Sequence, residues 1–228
     1  MAWIIGDVHG CIKTLESLLS KLPKNEKVIF VGDLIDRGPG SKDVIQLIKE
    51  KNYDCIRGNH EDAMIDEILG FLDDPLLAKN SFWINKCGGF KTLESYNEST
   101  KIQINLDVKW LESLPYYKEY KDIKNKDGRY LVVSHSSIGN YWHMKDFPKN
   151  SDEYLTFIKN ISTNRDRTIK DIPEIFNVFG HTPKSESVIK KHYADVDTGA
   201  CYTKFKDLGN LSALEFPSMK VITQKNID

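Results

Sequence analysis

Five short stretches of this chain carry side chains that can hold a cation or move a proton. They are Gly6-Asp7-Val8-His9-Gly10, Gly32-Asp33-Leu34-Ile35-Asp36-Arg37-Gly38, Gly58-Asn59-His60-Glu61, Ser134-His135 and Gly180-His181. Each follows a short apolar run, as Val28-Ile29-Phe30-Val31 precedes Gly32, so the reactive groups sit where a buried strand turns into a loop. Taken singly they say little, because Gly-Asp after a strand is an ordinary turn and a lone histidine is more often structural than a ligand. Taken together, Asp7, His9, Asp33, Asn59, His135 and His181 offer only oxygen and imidazole nitrogen donors. That mix suits Mn, Fe or Zn rather than the thiolate sites of structural zinc. Six ligands are too many for one catalytic ion that keeps an open position, and enough for two ions if one carboxylate bridges them. The remaining histidines, His143 and His192, lie outside such contexts and read as surface or packing residues.

The elements that must position these groups begin with strand and helix in alternation. Ala2 to Ile5 reads as a strand, and Ile12, Leu15, Leu18, Leu19 and Leu22 then fall at helical spacing before Pro23. Strand Val28 to Val31 leads to a helix starting near Ser41, a candidate N-cap, and strand Tyr53 to Ile56 leads to a helix carrying Met64, Ile65, Ile68, Leu69 and Leu72. Such alternation predicts βαβ crossovers and a mostly parallel sheet. In open α/β sheets ligands collect at the carboxyl ends of strands, so groups distant in sequence can converge there.

Between Asp73 and Ile123 the pattern is broken by Pro75, Gly88-Gly89 and Pro115, and short helices are expected beside the sheet, one over Asp107 to Leu114. The frequent aromatics here, Phe82, Trp83, Phe90, Tyr96, Trp110, Tyr116, Tyr117 and Tyr120, read as core and packing surface. Asp127-Gly128 between two strand patterns signals a hairpin. A helix is expected over Asp152 to Ile161. Strands at Val178-Phe179, Ser187 to Ile189, Leu211 to Phe216 and Met219 to Ile222 would build an antiparallel or mixed second sheet. The fold class expected is α/β, a layered sandwich of two mixed sheets flanked by helices. The whole of 1–228 is read as one domain, with 73–123 a helical subregion beside the site.

Composition narrows the function classes. With 40% hydrophobic and 29% charged residues, the chain has the make-up of a globular protein. A net charge of -1 leaves no field for gripping nucleic acid. No apolar run reaches the ~20 residues of a membrane span. Four scattered cysteines, and a start without a basic leader or long apolar region, lead to the expectation of a cytoplasmic protein with reduced thiols.

In order and approximate spacing, the five motifs resemble the signature of calcineurin-like metallophosphoesterases, and more narrowly the phosphoprotein phosphatase branch. Arg57-Gly58-Asn59-His60-Glu61-Asp62 and Asp197-Thr198-Gly199-Ala200 bring the bacterial and phage members nearest. The resemblance implies a two-metal site, with Mn expected and Fe or Zn able to serve. Asp7 and His9 would hold the first ion, Asp33 would bridge, and Asn59, His135 and His181 would hold the second. A hydroxide shared by the ions would attack phosphorus in line. His60 would act as general acid, Asp36 would orient its imidazole, and Arg37, Arg57 and Arg165 would bind phosphate. Arg165 is chosen over Arg167 in Ser162-Thr163-Asn164-Arg165-Asp166-Arg167, where Thr163 stands in place of the family's Trp. The expected substrate is a phosphorylated protein or small phosphorylated compound, with serine/threonine protein phosphatase first. Symmetrical diadenosine tetraphosphatase is the alternative, disfavoured by the carboxylate of Asp36. A silent metal-site scaffold and a metal-dependent nuclease rank below both.

Overall fold

A computed structural model describes residues 1–73 and 81–228. Its first third follows the apolar periodicity closely. Strand β1 (Ala2–Ile5) leads into α1 (Ile12–Ser20), β2 (Lys27–Phe30) into α2 (Ser41–Glu50), and β3 (Asp54–Cys55) into α3 (Asn59–Asp73). The three strands pair in parallel, β1 beside β2 and β2 beside β3. Period-2 alternation sorts their side chains. Trp3, Ile5, Val28 and Phe30 face the helices, while Ala2, Ile4, Ile29 and Val31 face the opposite way. Both faces are covered, which is why these strands read as continuous apolar runs. Each fully buried Ile or Phe contributes roughly 1.5–3 kcal/mol.

After a π-helical turn at Trp83–Cys87 come α4 (Gly89–Ser95) and α5 (Lys101–Ser113), then the hairpin β4 (Tyr117–Lys124) and β5 (Tyr130–Ser134). The 73–123 subregion expected to be helical is therefore helical only as far as Ser113, and Pro75 and the rest of 74–80 lie outside the described residues. Tyr117 onward goes into a sheet instead, with Tyr120 buried between the layers. α5 also starts six residues before the expected helix, because Thr100 caps it by accepting from the Gln103 N–H at 3.2 Å. The aromatics split: Trp83, Tyr96 and Tyr120 are buried, whereas Phe82 and Phe90 are exposed rather than packed.

The chain ends with α6 (Asp152–Thr163), β6 (Ile175–Phe179), β7 (Val188–Ile189), β8 (Tyr193–Asp195), β9 (Asn210–Phe216) and β10 (Lys220–Lys225). Among the described residues two mixed five-stranded sheets result, ordered β10-β9-β1-β2-β3 and β4-β5-β6-β8-β7. β9 and β10 thus join the first sheet, not the second as their position in the chain suggested. β9 pairs antiparallel with β1, setting Leu214 and Phe216 between the sheets and Leu211 and Ala213 toward the helices. Leu131, Val133, Phe176 and Val178 meet them from the second sheet, and Phe157 and Ile161 of α6 cover its far face. Among the described residues, no helix is long and apolar enough to cross a membrane.

The ends of β2 and β3 are fastened to each other by one side chain. Glu61 is fully buried. Its Oε2 accepts from the N–H groups of Gly58 at 2.8 Å and Asp33 at 2.9 Å, and its Oε1 accepts from the Leu34 N–H at 2.8 Å. The bond back to Gly58, three residues earlier, is half of a capping box at the start of α3. Glu61→Gln puts an amide NH₂ where backbone donors need an acceptor, so urea unfolding should show a loss of about 1–3 kcal/mol. A loss below about 0.5 kcal/mol, the range of an inert surface change, would show that the clamp does not hold the two loops.

Candidate metal centre

The strand ends meet around Asp33. Its Oδ1 accepts from the backbone N–H of His60 at 3.1 Å and lies 3.3 Å from His135 Nε2. Its Oδ2 lies 3.6 Å from His9 Nε2 and 3.8 Å from His60 Nε2. His135 Nε2 is in turn 3.0 Å from Asn59 Oδ1 and 3.1 Å from His181 Nδ1. Asp7 joins through its carboxylate, which accepts from the His181 backbone N–H at 3.1 Å and 3.2 Å. All six residues singled out as candidate ligands are therefore brought to one place. Among the described residues, two groups have candidate donor atoms all within 4.8 Å of one another, His9-Asp33-His60 and Asp33-His135-His181. Asp33 is common to both.

Local backbone makes this convergence possible. His9, Asp33, Asp36, Arg37 and His181 all have positive φ, between 47° and 74°. A non-glycine residue there costs of order 1–2 kcal/mol. Glycine is required beside them by close approach: a Cβ on Gly58 would strike the Asp33 carboxylate, and one on Gly180 the Asp7 carboxylate. Gly58 and Gly180 thus leave the space the two acids occupy, while Gly6 and Gly32 leave it for neighbouring backbone, at Val196 and Gly58.

The donor set fits divalent cations. Nδ1–H of His9 donates to the Ile35 carbonyl at 2.9 Å and Nδ1–H of His135 to the Val31 carbonyl at 2.8 Å, so each ring turns Nε2 toward the centre. Around His135 Nε2 the oxygens of Asn59 and Asp33 and the Nδ1 of His181 converge, an arrangement of donor atoms that a cation would satisfy. His181 Nε2 is buried without a hydrogen-bond partner. The electrostatics agree. Burial, then Asp197 and Asp33, push the Asp7 carboxyl well above the usual range. Burial raises Glu61 to about 7, with Asp33 adding to it, and raises Asp197 to about 6. Burial pulls the His135 imidazole down, but the Asp33 carboxylate outweighs it and the group ends at about 9. Buried carboxylates without counter-charge are costly, and Asp7 feels the charges of Asp197, Asp33 and Asp195 together.

Beside the ligand candidates, His60 Nδ1 meets Asp36 Oδ2 at 2.6 Å. Burial lowers His60, yet Asp33 and Asp36 together hold it above the ordinary imidazole value. Arg37 reaches His9 Nε2 at 2.8 Å through Nη1 and His60 Nε2 at 2.9 Å through Nη2, with the Tyr202 ring 5.2 Å from its guanidinium carbon. Arg57 is engaged differently: it lies over the Tyr116 ring at 4.2 Å, with Nε 3.4 Å from Asp62. Arg165 approaches Thr182 Oγ1 at 3.4 Å and, with Arg167 and Lys184, lines a cavity of about 500 Å³ that also touches Gly180, Phe179 and Tyr193. Ser41, expected to cap α2, makes no cap bond; its Oγ accepts from the Asp36 N–H at 3.0 Å instead. Sequence reasoning passed over the roles of Glu61, Trp83, Thr92 and Tyr202. Only Glu61, inside a quoted motif and three residues after Gly58, carried a visible signal.

A family model described as Calcineurin-like phosphoesterase matches residues 2–211. Bis(5'-nucleosyl)-tetraphosphatase PrpE, the asymmetrical type, of Oceanobacillus iheyensis is 30% identical over 247 aligned residues, 96% of this chain and 90% of the relative. Serine/threonine-protein phosphatase 1 of Salmonella typhimurium is 24% identical, over 88% of this chain and 87% of the relative. Among solved structures, a protein serine/threonine phosphatase from Saccharomyces cerevisiae with similarity to human phosphatase PP5 superposes with a TM-score of 0.61 at 15% identity, covering 100% of this chain and 80% of that one. With the five strand ends gathered around Asp33 and a family match spanning all five, this chain belongs to the calcineurin-like phosphoesterases.

Proposed function

We propose that this protein is a divalent-metal-dependent phosphoesterase with a dinuclear centre, Mn being the expected metal. The observation that carries the reading is that one carboxylate, Asp33, belongs to both groups of candidate ligands. Asp7 and His9 would share one ion with Asp33, and Asn59, His135 and His181 the other. When bound, such ions supply Lewis acidity toward phosphoryl oxygens and lower the pKa of coordinated water. The chain's own residues do the rest. Arg37, whose fork spans the His9 and His60 side of the centre, orients phosphate through two oxygens. Arg57 and Arg165 are assigned supporting phosphate contacts. His60, which Asp33 and Asp36 keep protonated to higher pH than a free imidazole, gives its proton to the leaving oxygen. Asp36 fixes the ring by holding Nδ1.

For the substrate we infer a bis(5'-nucleosyl) tetraphosphate, the compound in the names of relatives that match over 96% of this chain. The cavity beside Gly180 supports this, because its Arg165, Arg167 and Lys184 suit further phosphates and its Tyr193 and Phe179 suit an aromatic base. The second reading is a serine/threonine protein phosphatase, favoured by the Asp36–His60 pair that motivated it from the sequence and by the Salmonella relative.

With Mn²⁺ supplied, the purified protein should cleave diadenosine tetraphosphate at a higher kcat/KM than a phosphoserine peptide. The opposite preference would promote the second reading, and cleavage of neither would remove the phosphoesterase assignment. His60→Asn should lower kcat about 10²–10⁴-fold while the metal content stays that of the parent protein. Because His60 also lies within ligand range of His9 and Asp33, loss of metal in that variant would make it a ligand and not the acid.

A further inference from the structure

The Gly88-Gly89 pair that interrupts the middle of the sequence has a structural use. Gly88 takes φ 88° and its carbonyl accepts from the Arg37 N–H at 3.3 Å. A side chain on Gly89 would collide with the indole of Trp83, so the pair lets that ring lie flat against backbone. Trp83 is wholly buried, and its Nε1–H sits 3.0 Å from each carboxylate oxygen of Asp36. From α4, the Thr92 hydroxyl donates to Asp36 Oδ1 at 2.6 Å. The same hydroxyl oxygen and Ser41 Oγ both stand 3.0 Å from the Asp36 N–H. Asp36 and Arg37 have positive φ, 71° and 67°, a conformation that needs such tertiary restraint.

Thus Asp36 Oδ1 receives Thr92 and Trp83, and Oδ2 receives Trp83 and His60. The carboxylate has no freedom to rotate away from the imidazole without breaking several buried hydrogen bonds. We propose that Trp83 and Thr92 are positioning residues for the reaction: they lock the Asp36 carboxylate so that His60 stays aimed at the leaving oxygen. This rests on the reading of His60 as the proton donor. Both residues are fully buried, so they act through Asp36. The competing role is packing alone, since Trp83 also belongs to the apolar core between the first sheet and its helices.

The two roles separate in how the damage depends on the leaving group. A proton donor matters most when the departing oxygen is strongly basic and least when it is a stable anion. The test measures kcat/KM with Mn²⁺ on phenyl phosphate and on 2,4-dinitrophenyl phosphate for the parent, Trp83→Phe, Thr92→Val, Thr92→Ser and His60→Asn proteins. Trp83→Phe keeps an aromatic ring, smaller than the indole, and removes the N–H; Thr92→Val keeps the shape and removes the hydroxyl. Both should lose about 10–100-fold on phenyl phosphate, the usual scale for removing an outer partner of an active group, and only a few-fold on the dinitrophenyl ester. Thr92→Ser, which restores the hydroxyl, should recover most of the phenyl phosphate activity. Equal loss on both esters, or no loss, would reduce Trp83 and Thr92 to packing residues. If His60→Asn itself shows no leaving-group dependence, the proton-donor reading fails and this proposal with it. If His60→Asn shows the dependence and the other two do not, only this proposal fails.

Discussion

The carboxylate of Asp33 is the constraint on which the rest of the structure turns. It is buried, its residue adopts φ 50°, and three histidines and the first turn of α3 close around it. Burial alone would raise its pKa, yet His135 and His60 hold it well below the ordinary carboxylate value. The backbone is tied to match: the N–H groups of Val8 and His9 both donate to the Asp33 carbonyl, at 3.0 and 2.9 Å, and Glu61 takes the Asp33 N–H. Left-handed residues at five positions of the site are held by these bonds and by apolar layers on each side of both sheets. The strain sits at the candidate site, and the cores that offset it lie elsewhere.

A second tier of groups around that carboxylate gives the site its direction. Glu61 joins the ends of β2 and β3, Ser41, Thr92 and Trp83 fix Asp36, and Tyr202 stacks on Arg37. These come from α2, α3, the π-helical turn, α4 and the loop after β8. The π-helical turn and α4 of the middle segment therefore support the candidate site and are more than a cover over the sheet.

Much of this was legible in the sequence because it is local. Strand-to-helix alternation, glycine at four of the five strand ends with Ser134 at the other, and the paired Asp and His types could be read from spacing of a few residues, and all six candidate ligands do converge. What was hidden depends on tertiary pairing. Leu211 to Phe216 has an ordinary strand pattern that does not say which sheet it enters, and it pairs with β1 about two hundred residues earlier. Tyr193–Asp195 is too short a strand to show a period. Trp83 resembled every other buried aromatic, because nothing in its neighbours reveals that its N–H meets Asp36. Ser41 looked like a helix cap, since a hydroxyl before an apolar stripe has that meaning until a better acceptor role is in reach.

Whether one carboxylate serves two ions is tested most directly by metal stoichiometry. The parent and Asp33→Asn proteins would be equilibrated with Mn²⁺, freed of excess ion, and assayed for bound metal by elemental mass spectrometry. Two ions per chain in the parent and the loss of both in Asp33→Asn is the predicted result. A single ion in the parent, or two ions retained after the substitution, would contradict it.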